Sequence, residues 1–209
     1  MAPPVGLLIG HSFVHGLMAH LKIDNHTTGR AIAKEMNLSR IIQSLHMHGE
    51  RGAKVCPQAA HSQQYSLPHS LLRRAKPDFV IIDLGTNDLA CNIPPFEIAT
   101  KLFQLATDLI TQYHVTAVVI CSIINRERHI SMTPPEFATA AFQLNNYLKH
   151  LAETEPRVMY HPHKGFWDSP VTTWSRDGIH PNATLGRKRY VKSIRKAVFA
   201  ALQSFTQRV

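Results

Sequence analysis

The sequence is poor in cysteine and has no long apolar run. Cys56, Cys91 and Cys121 are the only cysteines among 209 residues. Their odd number, wide separation and lack of a CxxC pair argue against a disulfide framework or a zinc-thiolate site. All three are expected to be reduced and buried. No stretch approaches the roughly 18 apolar residues needed to cross a bilayer, and no basic segment, apolar stretch and cleavage site open the chain. An intracellular location is therefore expected. Internal repeats, low-complexity tracts and Gly/Ser linkers are also missing. With 44% hydrophobic residues, one domain covering residues 1–209 with a single large core is expected. The first apolar run begins at Val5, an abrupt start that suits a domain cut from a longer polypeptide.

Negative charge is scarce as well. Fourteen Asp and Glu against 23 Lys and Arg give a net charge of +9, and no acidic residue follows Asp177. The closing stretch GRKRYVKSIRKAVFAALQSFTQRV repeats apolar residues at Val191, Ile194, Val198, Ala201, Leu202 and Phe205, which is helical spacing. One face of this C-terminal helix packs and the other is basic. Such a face is either simply solvated or a contact for nucleic acid or an anionic membrane surface.

Short apolar runs occur at Val5 to Ile9, Phe79 to Leu84 and Ala117 to Ile124, with a weaker one at Arg157 to His161. Each reads as a strand buried on both faces. A further strand is placed at Ile41 to His48. Helical periodicity lies between them: Phe13 to Leu21, residues 30–36, the face Leu102, Phe103, Leu105, Leu109, Ile110, and the face Phe137, Ala141, Leu144, Leu148, Leu151. The last of these is introduced by Thr133-Pro-Pro-Glu, a cap candidate followed by first-turn prolines. Strands alternating with helices predict an α/β fold, a three-layer α/β/α sandwich around a mainly parallel sheet of about five strands.

Four blocks could carry chemistry. In IGHSF, residues 9–13, Ser12 either caps the helix that follows or is held out as a hydroxyl at the end of the sheet. In HGERG, residues 48–52, Gly49 and Gly52 would let backbone N–H groups come close to a ligand. GTND, Gly85 to Asp88, follows a buried strand and is either plain turn chemistry or a means of presenting the Asn87 amide at the carboxyl edge of the sheet, where ligands of open α/β proteins bind. In SRDGIHPN, Asp177 and His180 are spaced so that the carboxylate can accept from imidazole Nδ1 and leave Nε2 as a base.

In this order the blocks resemble the SGNH, or GDSL-type, hydrolase family, and they span residues 10 to 180. The resemblance implies a flavodoxin-like fold and a serine esterase that needs no cofactor or metal. It gives Ser12 as nucleophile, His180 as base and Asp177 as the group that orients it. The Ser12 and Gly52 backbone N–H groups and the Asn87 side chain would form the oxyanion hole. The family usually has aspartate before the serine, whereas His11 stands there in this chain. His11 could order the loop in another way or add positive charge beside the oxyanion. The Gly-His-Ser form and the basic balance also resemble the esterase domains of animal retroelement proteins.

Other residues are weighed beside these. His46 with His48 and His161 with His163 invite a metal, but no spaced acid or cysteine completes either set. Phe166, Trp167 and Trp174 could wall an acyl site or simply pack. His15 and Arg51 would lie near the nucleophile and favour an anionic ester, or form a hydrated rim. Two functions follow: a serine esterase acting on a small acyl ester of acetyl type or on a lipid, through an acyl-enzyme; or a nucleic-acid- or membrane-binding module that keeps the hydrolase scaffold.

Overall fold

The computed structural model describes residues 2–24, 26–56, 67–128, 131–167 and 173–206. Five strands form one all-parallel sheet in the order β2-β1-β3-β4-β5. They are β1 (Val5–Gly10), β2 (Ser44–Gly49), β3 (Phe79–Asp83), β4 (Ala117–Cys121) and β5 (Val158–His161). Side chains alternate across the sheet because successive Cβ atoms point to opposite faces. Leu7, Ile9, Val80, Ile82, Val118 and Ile120 enter one core. Leu8, Phe79, Ile81, Ala117, Val119 and Cys121 enter the other. With both faces covered, each central strand reads as an unbroken apolar run. This is the three-layer α/β arrangement expected.

On the first face pack α3 (His69–Ala75), α4 (Thr86–Leu89), α5 (Pro95–Tyr113) and α6 (Pro134–Ala152). The second carries α1 (Ser12–His20), α2 (Gly29–Glu35) and α7 (Leu185–Thr206). Helix α5 buries Ile98, Leu102, Ala106 and Leu109, residues three or four apart. Helix α6 starts as its sequence predicts, with a capping box in which Glu136 accepts from the Thr133 N–H at 2.7 Å.

Three expectations need correction. Ile41 and Ile42 lie in the turn before β2, which begins at Ser44; Ile42 is buried without pairing. The strand placed at Ala117 to Ile124 ends at Cys121, although Ser122, Ile123 and Ile124 stay buried. Among the cysteines, Cys91 is exposed. Cys56 and Cys121 are buried, and burial pushes their thiols up, Cys56 to about 12. No described helix is long and apolar enough to cross a membrane.

Strand order changes direction beside β1, since β2 lies on one side of it and β3 on the other. In parallel sheets such a switch point opens a crevice at the carboxyl ends of the strands. Here Gly10 is in register with both Gly49 and Asp83. The chain thus leaves β1, β2 and β3 at one level, two residues before Ser12, three before Gly52 and four before Asn87.

Candidate active site

Ser12 is the first residue of α1, and its cap is the residue before it. His11 has extended backbone (φ −89°, ψ −151°), and its Nδ1 accepts from the Phe13 N–H at 3.3 Å. The expectation that Ser12 might cap the helix is therefore corrected: an imidazole does that, and the serine hydroxyl is left for the cleft. It lies 3.5 Å from His11 Nδ1, at the outer edge of hydrogen-bond range. As the first helical residue, Ser12 has a backbone N–H with no intrahelical acceptor, at the positive end of the helix dipole.

His11 itself is 1% exposed. Burial pulls its pKa down to about 4, against the opposing pull of Asp83. The ring is neutral at neutral pH, so it adds no positive charge beside an oxyanion, contrary to one of the two roles expected for it. With Nδ1 accepting, the proton sits on Nε2, which faces Asp83 Oδ1 at 3.7 Å. Asp83 also accepts from the Tyr190 hydroxyl and lies 3.9 Å from His163 Nε2. Burial alone would raise the Asp83 carboxyl, but His163, His11 and Tyr190 outweigh it and hold it below the usual range.

The glycine loop lies across from α1. A Cβ on Gly49 would sit 2.3 Å from the His15 backbone nitrogen, so only glycine lets β2 run this close to the helix. Gly52 has φ +72°, the left-handed region, and nothing lies within 4 Å of where its Cβ would be. The loop is tied down by Asp88, whose Oδ1 accepts from the Cys56 N–H at 2.8 Å. Burial raises that carboxyl.

In GTND, Gly85 (φ +101°) turns the chain into a single helical turn, α4, which begins at Thr86. Asn87 is gripped at both ends of its amide. One Nδ2 hydrogen goes to the Ala53 carbonyl at 3.1 Å. Its Oδ1 accepts from Arg126 Nη2, also at 3.1 Å. Arg126 is 5% exposed, and its guanidinium lies over the Phe13 ring (5.8 Å) and the Phe137 ring (5.9 Å). Burial lowers its pKa to about 10, opposed chiefly by Asp177, and it remains a cation. Sequence reasoning missed this residue. Its only signal was a position shortly after β4, on the same edge of the sheet.

The segment after residue 172 brings the last pair. His180 Nδ1 donates to Asp177 Oδ2 at 2.7 Å. The other oxygen, Oδ1, accepts from the backbone of Ile179 (2.8 Å) and His180 (2.9 Å) and from the Ser175 hydroxyl (2.7 Å). Burial works against the Asp177 charge, but these donors prevail and hold the carboxyl well below the ordinary range. The loop is clasped by Gly178, whose carbonyl accepts from the Glu127 and Arg128 N–H groups, and by a bridge between Trp174 and Pro181. The Phe13 ring meets the His180 ring edge-on at 5.9 Å.

One cleft of about 500 Å³ is lined by Ser12, Gly52, Asn87 and His180 together with Arg126. Asp177 stands behind His180. His15 and Arg51 line the cleft as expected, joined by Arg187. Of the aromatics, Phe166 and Trp174 are buried and packed on one another at 5.9 Å, which is the packing role; Trp167 is 38% exposed. His161 and His163 share the Ser193 hydroxyl, at 3.1 and 2.7 Å. Among the described residues no group of three or more His, Cys, Asp or Glu could hold a metal ion.

The sequence profile of the GDSL-like lipase/acylhydrolase family matches residues 8–186. The chain belongs to this family. No curated protein matches it by sequence. Among solved structures it is similar to Est24, a carbohydrate acetylesterase from Sinorhizobium meliloti, with a TM-score of 0.65 and 19% identity over 94% of this chain and 99% of that one. The psychrotrophic esterase EstA from Pseudoalteromonas sp. gives 0.61 and 16%, over 93% and 98%. A GDSL-like lipase from Bacteroides thetaiotaomicron gives 0.60 and 15%, over 96% and 93%. At these identities the likeness is one of fold.

Proposed function

We propose that this GDSL-family chain is a serine esterase that hydrolyses small acyl esters, acetyl above all, in two steps. The observation that carries the reading is the 2.7 Å Asp177–His180 pair beside a cleft that also holds Ser12. With Nδ1 committed to the carboxylate, His180 Nε2 is the basic nitrogen. It takes the proton as Ser12 Oγ attacks the ester carbonyl, and Asp177 stabilises the imidazolium. The oxyanion is held by the Ser12 N–H at the start of α1, the Gly52 N–H and the remaining hydrogen of the clamped Asn87 amide. His180 then protonates the departing alcohol. A water, deprotonated by the same ring, cleaves the acyl-Ser12 ester and regenerates the hydroxyl. A cleft of about 500 Å³ suits a small ester.

The test is covalent. A fluorophosphonate should label Ser12 alone, read by peptide mass spectrometry, and p-nitrophenyl acetate hydrolysis should vanish in Ser12→Ala. Undiminished hydrolysis by that variant would end the proposal.

A second reading accompanies the first. The basic face of α7 and the Gly-His-Ser block, through which the chain resembles esterase domains of animal retroelement proteins, support polyanion binding alongside catalysis.

A further inference from the structure

Two clefts lie away from the ester site, on either side of the chain as it leaves β5, the edge strand of the sheet. The first, about 480 Å³, is basic. Arg189, Lys192 and Lys196 line it from one face of α7, three to four residues apart, and Lys164 faces them from the loop after β5. Arg189 is braced by donating to the Gly165 carbonyl. The second cleft, about 250 Å³, is lined by Phe142 and Asn146 of α6, by Tyr160 of β5 and by Trp167. Phe142 and Trp167 are 64% and 38% exposed, so their ring faces are open to a ligand. Pro162 borders both clefts. Among the described residues no carboxylate lines either.

We propose that this edge binds single-stranded nucleic acid, with phosphates in the basic cleft and bases stacked across Pro162 on Trp167 and Phe142. A cluster of cations without acidic relief attracts phosphate, and aromatic faces accept bases of any sequence once they are unstacked. The concavity of the aromatic cleft selects single strands, because a duplex keeps its base faces covered. It also argues against a membrane, which requires apolar groups projecting from a broad face. The inference gives the second reading a location and a ligand class, and does not depend on the esterase.

The experiment is fluorescence anisotropy with a labelled oligothymidylate of about 12 nucleotides, across a salt series. Single-strand phosphate contacts give a slope of about 0.7 in log Kd per log salt for each contact. Lys192→Gln with Lys196→Gln should lower the slope by about 1.4. Trp167→Ala should weaken binding about tenfold with the slope unchanged. Circular dichroism melts of the variants report that they are folded, and fluorophosphonate labelling of Ser12 reports the esterase site separately. An unchanged slope in the lysine variant overturns the proposal. So does a charge effect without a Trp167 effect, duplex binding as tight as single-strand binding, or equal dependence on these residues for vesicles of phosphatidylserine and phosphatidylcholine.

Discussion

Arg126 Nη2 and Asn87 Oδ1 stand 3.1 Å apart, and that bond with the Ala53 carbonyl leaves one amide hydrogen of Asn87 for the cleft. By bonding Oδ1 the guanidinium fixes the plane of the amide and draws electron density from it, while it also lies over the Phe13 and Phe137 rings and lines the cleft. Asn87→Ala should lower kcat for p-nitrophenyl acetate by about 10²–10³-fold. Arg126→Met should lower kcat about tenfold alone, yet change it little in the Asn87→Ala background, since coupled residues are not additive. An equal loss in both backgrounds would assign Arg126 a role independent of Asn87.

Asp177→Asn keeps the size of the side chain and removes its charge. The Asn amide can then donate toward Nδ1, which favours the proton on Nε2 and disables the base. A kcat loss of about 10⁴-fold is expected by analogy with the serine-protease triad, with KM little changed. Because its donors keep the Asp177 carboxyl ionised well below the usual range, the acid limb of the wild-type pH–rate profile does not arise from this residue. Persistence of that limb in the residual activity of the variant would show it.

The buried pair His11 and Asp83 makes the residue before the serine specific to its surroundings. Restoring the family's usual aspartate as His11→Asp puts a second carboxylate into a dry space facing the first (Nε2 to Oδ1 is 3.7 Å now). The substitution should cost about 3 kcal/mol, the scale of a broken buried pair. Adding Asp83→Asn should recover much of the loss, measured by urea denaturation at neutral pH.

Acid should destabilise the fold before the carboxylates titrate. The folded pKa of His11 lies near 4, below its ordinary value of 6.5, so between these values the unfolded chain binds more protons. Stability from the neutral ring is therefore full above about pH 6.5 and is lost as pH falls toward 4. Its size is about 3 kcal/mol. His161, also lowered to about 4 by burial, adds in the same direction. Denaturation midpoints from pH 7.5 to 4 should fall steadily in the wild type and less steeply in His11→Asn.

The sheet was readable because burial on both faces turns strands into unbroken apolar runs, as at Leu7 to Ile9 and Val80 to Ile82. The same rule blurred strand ends: Ile123 and Ile124 are as buried as β4 but pair with nothing in it. At the site, the motif blocks located the loops but not their supports. A histidine cap at residue 11 breaks the usual preference for small polar caps, so nothing local marked it. Asp83 and Tyr190 were hidden inside an apolar strand and an amphipathic helix. Arg126 bonds a partner 39 positions away, a separation no local pattern encodes.

The imidazole of His180 stands on a loop where its ring and the Asp177 carboxylate are nearly half exposed, whereas Ser12 opens α1 directly behind the buried end of β1. Loops of that kind open at a fraction of the free energy of global unfolding. Warming would thus silence such a molecule while its core was still intact, and cooling would revive it without any need to refold.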